Sequence, residues 1–160
     1  MLKIMGILLI VASCSAIGFL QSRSYRQRSD GIRSFIDAFR IAKAEIVFKN
    51  TPVYDVFGVL EQQATGTAKS FFSYIKSDDS LSAAGILKHA NLKEQDRGEI
   101  DTFLSVLGRY DSTNQAEMID KTILRLEELH KQADNDLAKN GRISSALGLT
   151  CGIVIAILLL

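Results

Sequence analysis

Between Ala116 and Leu137 the side chains that favour burial recur in steps of 3, 4, 3, 4, 3 and 4: Ala116, Ile119, Ile123, Leu126, His130, Ala133 and Leu137. That seven-residue repeat predicts one long amphipathic helix with a narrow inward stripe. Four residues after Lys139 the pattern changes. Ile143 to Leu160 is an uninterrupted uncharged run of eighteen residues. As a helix it would reach about 27 Å, near the thickness of a bilayer core. The only interruption is Lys139-Asn140-Gly141-Arg142, so one helix is expected to lead directly into a membrane span over 143–160.

The preceding residues show the same periodicity in shorter pieces. Over 32–47, Ile32, Phe35, Ile36, Phe39, Ala42 and Ile46 share a helical face. Thr51-Pro52 reads as a capped helix start, and the second helix should bury Val53, Val56, Phe57 and Leu60, with Gly66 ending it. A third helix carries Ala68, Phe71, Phe72 and Ile75. After the polar turn Lys76–Ser80, a short fourth helix uses Leu81, Ala84 and Leu87. A turn near Asn91 leads to a fifth, from Leu92 to Leu107, with Ile100, Phe103, Leu104 and Leu107 inward. Gly108 sits where a left-handed helix end is expected, and Asp111 can cap the long sixth helix. No strand pattern of useful length occurs. The fold class is therefore all-α: an antiparallel bundle of about six helices over 22–142, flanked by an N-terminal transmembrane helix over 1–21 and a C-terminal one over 143–160.

Charge sets the topology. Apart from Lys3, all charged side chains lie between Arg23 and Arg142, where 18 basic and 18 acidic residues cancel. That neutrality argues against a nucleic-acid surface. Residues 4–20 are uncharged, and three readings compete: a cleaved signal peptide, a lipoprotein signal in which Val11-Ala12-Ser13-Cys14 is a loose lipobox, and an uncleaved span. The span is favoured because apolarity continues past Cys14 and Arg23, Arg26, Arg28 and Arg33 follow directly. With Lys131, Lys139 and Arg142 ahead of the second span, the basic flanks put the bundle in the cytoplasm and both termini outside. Small residues spaced by four, such as Gly148 and Gly152, are candidates for close helix packing in lipid.

Candidate chemistry is sparse. There is no GxxxxGK[ST] phosphate loop, GxGxxG or GxSxG elbow. Cys14 and Cys151 lie in the apolar ends, so the bundle has no cysteine for a disulfide or metal site. His130 reads as a core or partly buried residue. His89 reads as a helix-end cation, Asp78-Asp79 as a solvated turn and Glu127-Glu128 as a water-facing pair. The expectation is no enzyme, no cofactor and no metal.

Four stretches in order, MLKIMGILLIVASCSAIGF, IRSFIDAFRIAKAEIVFKNTP, LKEQDRGEIDTFLSVLGRYDSTNQAEMI and RISSALGLTCGIVIAILLL, resemble the stage III sporulation protein AB family of endospore-forming bacteria. The resemblance covers nearly the whole chain. Departures are Arg109-Tyr110-Asp111 after Leu-Gly, where the family usually has Ser-Asp, and Phe48-Lys49-Asn50 before Thr-Pro. SLSAAGIL and VLGRYDSTNQAEMIDKTILRLEE are also similar to a six-helix cytoplasmic domain of type II secretion F platform proteins. The resemblance implies a platform in the mother-cell membrane around the forespore, within the channel complex that joins the two cells. Its implied partners are the secretion-type ATPase of the same operon and other stage III channel proteins; a second copy of the chain is a further candidate. The resemblance points to the turn with Gly108, Asp111 and Gln115 as a partner contact. The rival readings are an exported lipoprotein or membrane-anchored binding protein, and a membrane enzyme with an unrecognised site.

Overall fold

The computed structural model describes residues 2–49, 51–77, 80–107 and 112–141, together with 143, 146, 147, 150, 154 and 155. Among the described residues six α-helices follow one another: α1 (Leu2–Lys49), α2 (Val53–Gln63), α3 (Gly66–Lys76), α4 (Ser80–His89), α5 (Glu94–Val106) and α6 (Ser112–Asp136). A π-helical turn, Leu137–Gly141, follows α6. Among the described residues there is no strand. The all-α expectation is met. Among the described residues no helix is long and apolar enough to cross a membrane. The side chains of residues 2–11, 14 and 15 and much of 143–160 lie outside that description.

The chain divides into two compact units, one of Arg28–Gln132 and one of Met1–Gln27 with Ala133–Leu160. The first is the bundle. Its core begins with the α1 face that periodicity predicts: Ile32, Phe35, Ile36, Phe39, Ala42 and Ile46 are all buried. Phe39 stacks on Phe103 of α5 with centroids 3.6 Å apart and planes 6° from parallel. Phe35 meets Phe71 of α3 edge to face at 5.4 Å. Such aromatic pairs add to simple area burial. Ile119, Ile123, Leu126 and Ala133 of the predicted α6 stripe are buried, whereas Ala116, His130 and Leu137 are only half-buried.

Pairings across the bundle fix helix directions. Arg40 and Lys43 of α1 bond Glu127 and Asp120 of α6, a descending series that makes α1 and α6 antiparallel. Arg28 and Phe39 pair with Asp96 and Phe103, an ascending series that makes α1 and α5 parallel. Neighbours are thus not all antiparallel.

Several local expectations need correction. In α4, Leu87 is buried as expected, but Leu81 is 86% exposed and Ala84 is exposed; Ala83, and Ala90 just after the helix, are buried instead. A ten-residue helix with apolar side chains around its circumference has no single face until its neighbours choose one. In α5, Val106 is buried, with Leu104 and Leu107 half-buried. In α2 only Val56 and Leu60 are fully buried. Thr51 is not the cap of α2. Pro52 holds that position without a side-chain hydrogen bond, and the Thr51 hydroxyl donates to Glu45 at 3.1 Å. Gly66 opens α3 rather than ending α2, with φ +57°.

The start of α3 has a cap supplied from elsewhere. Thr65, in the N-cap position, makes no side-chain cap bond. The Ser34 hydroxyl of α1 accepts the Ala68 N–H at 3.1 Å and donates to the Gly31 carbonyl at 2.7 Å. One of the unpaired donors at the helix start is thereby satisfied by another helix. Ser34→Ala should cost about 1 kcal/mol, the usual worth of a cap. Urea unfolding of the full chain should show the midpoint shift at constant slope; an unchanged midpoint would refute the cap.

Asn91 is the left-handed residue after α4, with φ 56°. Leu92 N–H bonds the Leu87 carbonyl and Asn91 N–H the Lys88 carbonyl, which is the Schellman ending with Asn in the place glycine usually takes. The turn expected around Asn91 is there.

Candidate functional site

The turn between α5 and α6 is where the sequence points, and the structure describes only its far side. Gly108 and Asp111 lie outside the described residues, as do Gly148, Gly152 and the Asp78-Asp79 pair. Gln115 lies in the first part of α6, 4% exposed, and its Nε2 has no hydrogen-bond partner among the described residues. Leaving such a donor buried and unpaired costs about 1–3 kcal/mol.

Further along the same two helices runs a groove that sequence reasoning missed. Gln95, Glu99 and Thr102 of α5 face Arg125, Glu128 and Gln132 of α6 across it. Arg125 bonds Glu99 Oε1 at 3.4 Å, while Glu99 Oε2 is buried without a partner among the described residues. Gly98 leaves the groove open, since an added Cβ there would meet nothing within 4 Å. Each helix contributes polar residues at steps of three and four, so two matching polar stripes were the available signal. The groove presents amides, carboxylates, a hydroxyl and the Arg125 guanidinium, groups suited to polar contact with another protein surface.

The basic cluster after the first apolar stretch is divided. Arg23, Arg26 and Arg33 are exposed, but Arg28 is buried. Arg28 Nε and Nη2 donate to Asp96 Oδ2 and Oδ1 at 2.8 and 2.9 Å, with side-chain exposures of 5% and 0%. The Lys93 N–H adds a third bond to Asp96 at 2.8 Å. Arg28 thus differs from its neighbours in the run: its guanidinium is committed to a fork-to-fork pair inside the bundle.

The histidines occupy different settings. His89 is exposed at the end of α4. His130 is half-buried, its Nδ1 3.4 Å from the hydroxyl of Ser29. Glu127 is half-buried and bonds Arg40; Glu128 is exposed. Among the described residues no three His, Cys, Asp or Glu side chains are grouped as metal ligands.

Glu45 ties the end of α1 to the chain beyond it. Its carboxylate accepts from Lys49 Nζ at 2.6 Å and from the Thr51 hydroxyl, and its carbonyl accepts the Thr51 N–H. The hydrogen bond from Lys49, together with its charge and the Thr51 bond, holds the carboxyl below its ordinary value of 4.5 against an opposing effect of burial. A depressed folded-state pKa means stability that is fully present above the ordinary value and lost as pH falls through the folded one. Glu45→Gln should therefore lower stability at neutral pH and reduce its fall on acidification below about pH 4.5. Parallel pH–stability curves for the two proteins would refute the assignment.

The fold defines the class: an all-helical bundle built on an unusually long first helix. The chain belongs to the stage III sporulation protein AB family, whose model matches residues 3–160. It is 26% identical to the stage III sporulation protein AB of Bacillus subtilis (strain 168), over an alignment that covers all of both chains. No solved structure matches it. Family membership gives the chain a role in sporulation.

Proposed function

We propose that this chain is a non-enzymatic membrane platform of the sporulation channel between mother cell and forespore. Residues 4–20 and 143–160 serve as its two membrane spans. The bundle lies in the mother-cell cytoplasm, where it binds a secretion-type ATPase and other channel subunits. The observation that carries the reading is the family match along residues 3–160, joined to the two uncharged stretches at either end of an all-helical bundle. Exposed Arg23, Arg26 and Arg33 support the cytoplasmic side. The α5–α6 face is the proposed docking side, from Gly108, Asp111 and Gln115 to the polar groove.

Two measurements test it. With Cys14 and Cys151 replaced, Ser70→Cys on the exposed face of α3 should label only after the cells are permeabilised. Labelling from outside intact cells would instead favour the exported-lipoprotein reading. At the docking side, Gly108→Val and Asp111→Ala should leave the full chain near its normal melting temperature while spore yield falls. Normal spore yield with both variants at native levels would remove that turn from the docking face.

A further inference from the structure

In the second compact unit, one notch combines cationic and apolar groups. It is lined by Phe19, Ser22, Arg23 and Arg26 of α1 and by Leu137 of the π-helical turn. The α1 residues fall at steps of three, one and three, so they share one helix face. The π turn lies close against that face: a Cβ on Gly141 would come within 3.3 Å of Ser22 Oγ and 3.1 Å of Leu137 Cδ1. Among the described residues neither Arg23 nor Arg26 has an ion-pair partner. By contrast, Arg28, Arg40, Lys43, Lys49 and Lys76 each hold a carboxylate.

We propose that this notch binds the headgroup of an anionic phospholipid. The proposal rests on the reading of residues 4–20 as a membrane span. Depth supports it. At about 1.5 Å per residue, Arg23 lies about 4.5 Å and Arg26 about 9 Å beyond Leu20 along the helix. A bilayer of about 40–45 Å around a core of about 30 Å leaves roughly 5–7 Å of headgroup layer on each face. Arg23 falls within that layer, and Arg26 can reach back to it on its flexible stem. The polarity runs in the direction of a lipid molecule. Phe19 is at the acyl-chain end, the Ser22 hydroxyl and Arg23 are at phosphate level, and Arg26 is beyond. A guanidinium offers two parallel donors to a phosphate, and basic pockets beside membrane helices on the cytoplasmic side are suited to anionic headgroups.

The test uses the full chain, purified in detergent, with phosphatidylglycerol as the probe and phosphatidylcholine as the uncharged reference. Bound lipid is counted by native mass spectrometry. The native chain should retain phosphatidylglycerol in preference to phosphatidylcholine. Arg23→Gln with Arg26→Gln should weaken that binding roughly 30-fold, the factor two headgroup-level charges supply together. The control, Arg33→Gln with Lys69→Gln, removes the same charge from exposed positions in the bundle and should bind as the native chain does. Equal retention by the native chain and the Arg23/Arg26 variant overturns the proposal. So does an equal loss in the control, which would mean that net charge alone is at work. Displacement of the lipid by millimolar inorganic phosphate would mark a free-anion site and overturn the lipid assignment. Alkaline extraction of cell membranes tests the span separately: release of the chain into the soluble fraction would sink the membrane reading itself, whatever the lipid counts.

Discussion

Asp96→Ala will destabilise the bundle by about 3–5 kcal/mol, the usual consequence of removing one member of a buried charge pair. The substitution leaves the Arg28 guanidinium, 5% exposed, without the carboxylate that both its Nε and Nη2 address, and it frees the Lys93 N–H at the start of α5. A domain of this size has about 5–15 kcal/mol in total, so the variant should be marginally folded and scarce in cells. The comparison that isolates the cause is Glu127→Ala, which breaks the half-exposed pair with Arg40 and should cost no more than about 1 kcal/mol. A second comparison is Arg28→Met with Asp96→Leu. Removing both charges should recover much of what the single change loses, because the penalty lies in the stranded ion rather than in the absent attraction. Urea unfolding of the full chain in detergent reads all three. A loss below about 1 kcal/mol for Asp96→Ala would mean that water or another anion reaches Arg28.

Phe39→Ala should lose about 3–5 kcal/mol, as large-to-small changes in a closed core do. Phe39 has no exposed surface, stacks on Phe103 and meets Phe35 edge to face at 6.1 Å. The same helix supplies the control. Phe48 is 82% exposed, and Phe48→Ala should stay within about 0.5 kcal/mol of the native chain. The denaturant midpoint should fall for Phe39→Ala and hold for Phe48→Ala, with similar slopes. Equal effects would mean that the two aromatics do not differ in burial as the structure has them.

The ion pair and the aromatic stack do the same structural job: each joins α1 to α5 over more than sixty residues of chain. Neither partner announces the other. Arg28 stands in a run with Arg23, Arg26 and Arg33 and looks like one more flanking charge. Asp96 stands among Glu94, Gln95 and Arg97 and looks like part of a solvated helix start. The groove between α5 and α6 was hidden for the same reason. Its polar stripes are ordinary outward faces until two helices set them opposite each other. Gln115 was legible as a residue of interest but not as a buried one, since an isolated glutamine in a first turn carries no periodic signal.

The amino-acid sequence by itself determined the helices and their inward faces wherever an apolar stripe was long enough to choose one: the α1 face from Ile32 to Ile46, and Ile119, Ile123, Leu126 and Ala133 on α6. A period of 3.6 is a local property, and a helix with one apolar side can bury only that side. Only the tertiary structure decided what depended on a distant neighbour. It turned Leu81 outward and Ala83 inward on a short helix without a dominant face, and it assigned the Ser34 hydroxyl to cap α3 in place of Thr65. It drew Arg28 out of a surface cluster to meet Asp96. Buried hydrogen bonds and ion pairs are satisfied by whichever group the packing brings within about 3 Å, and that proximity is a property of the folded bundle, not of any stretch of its chain.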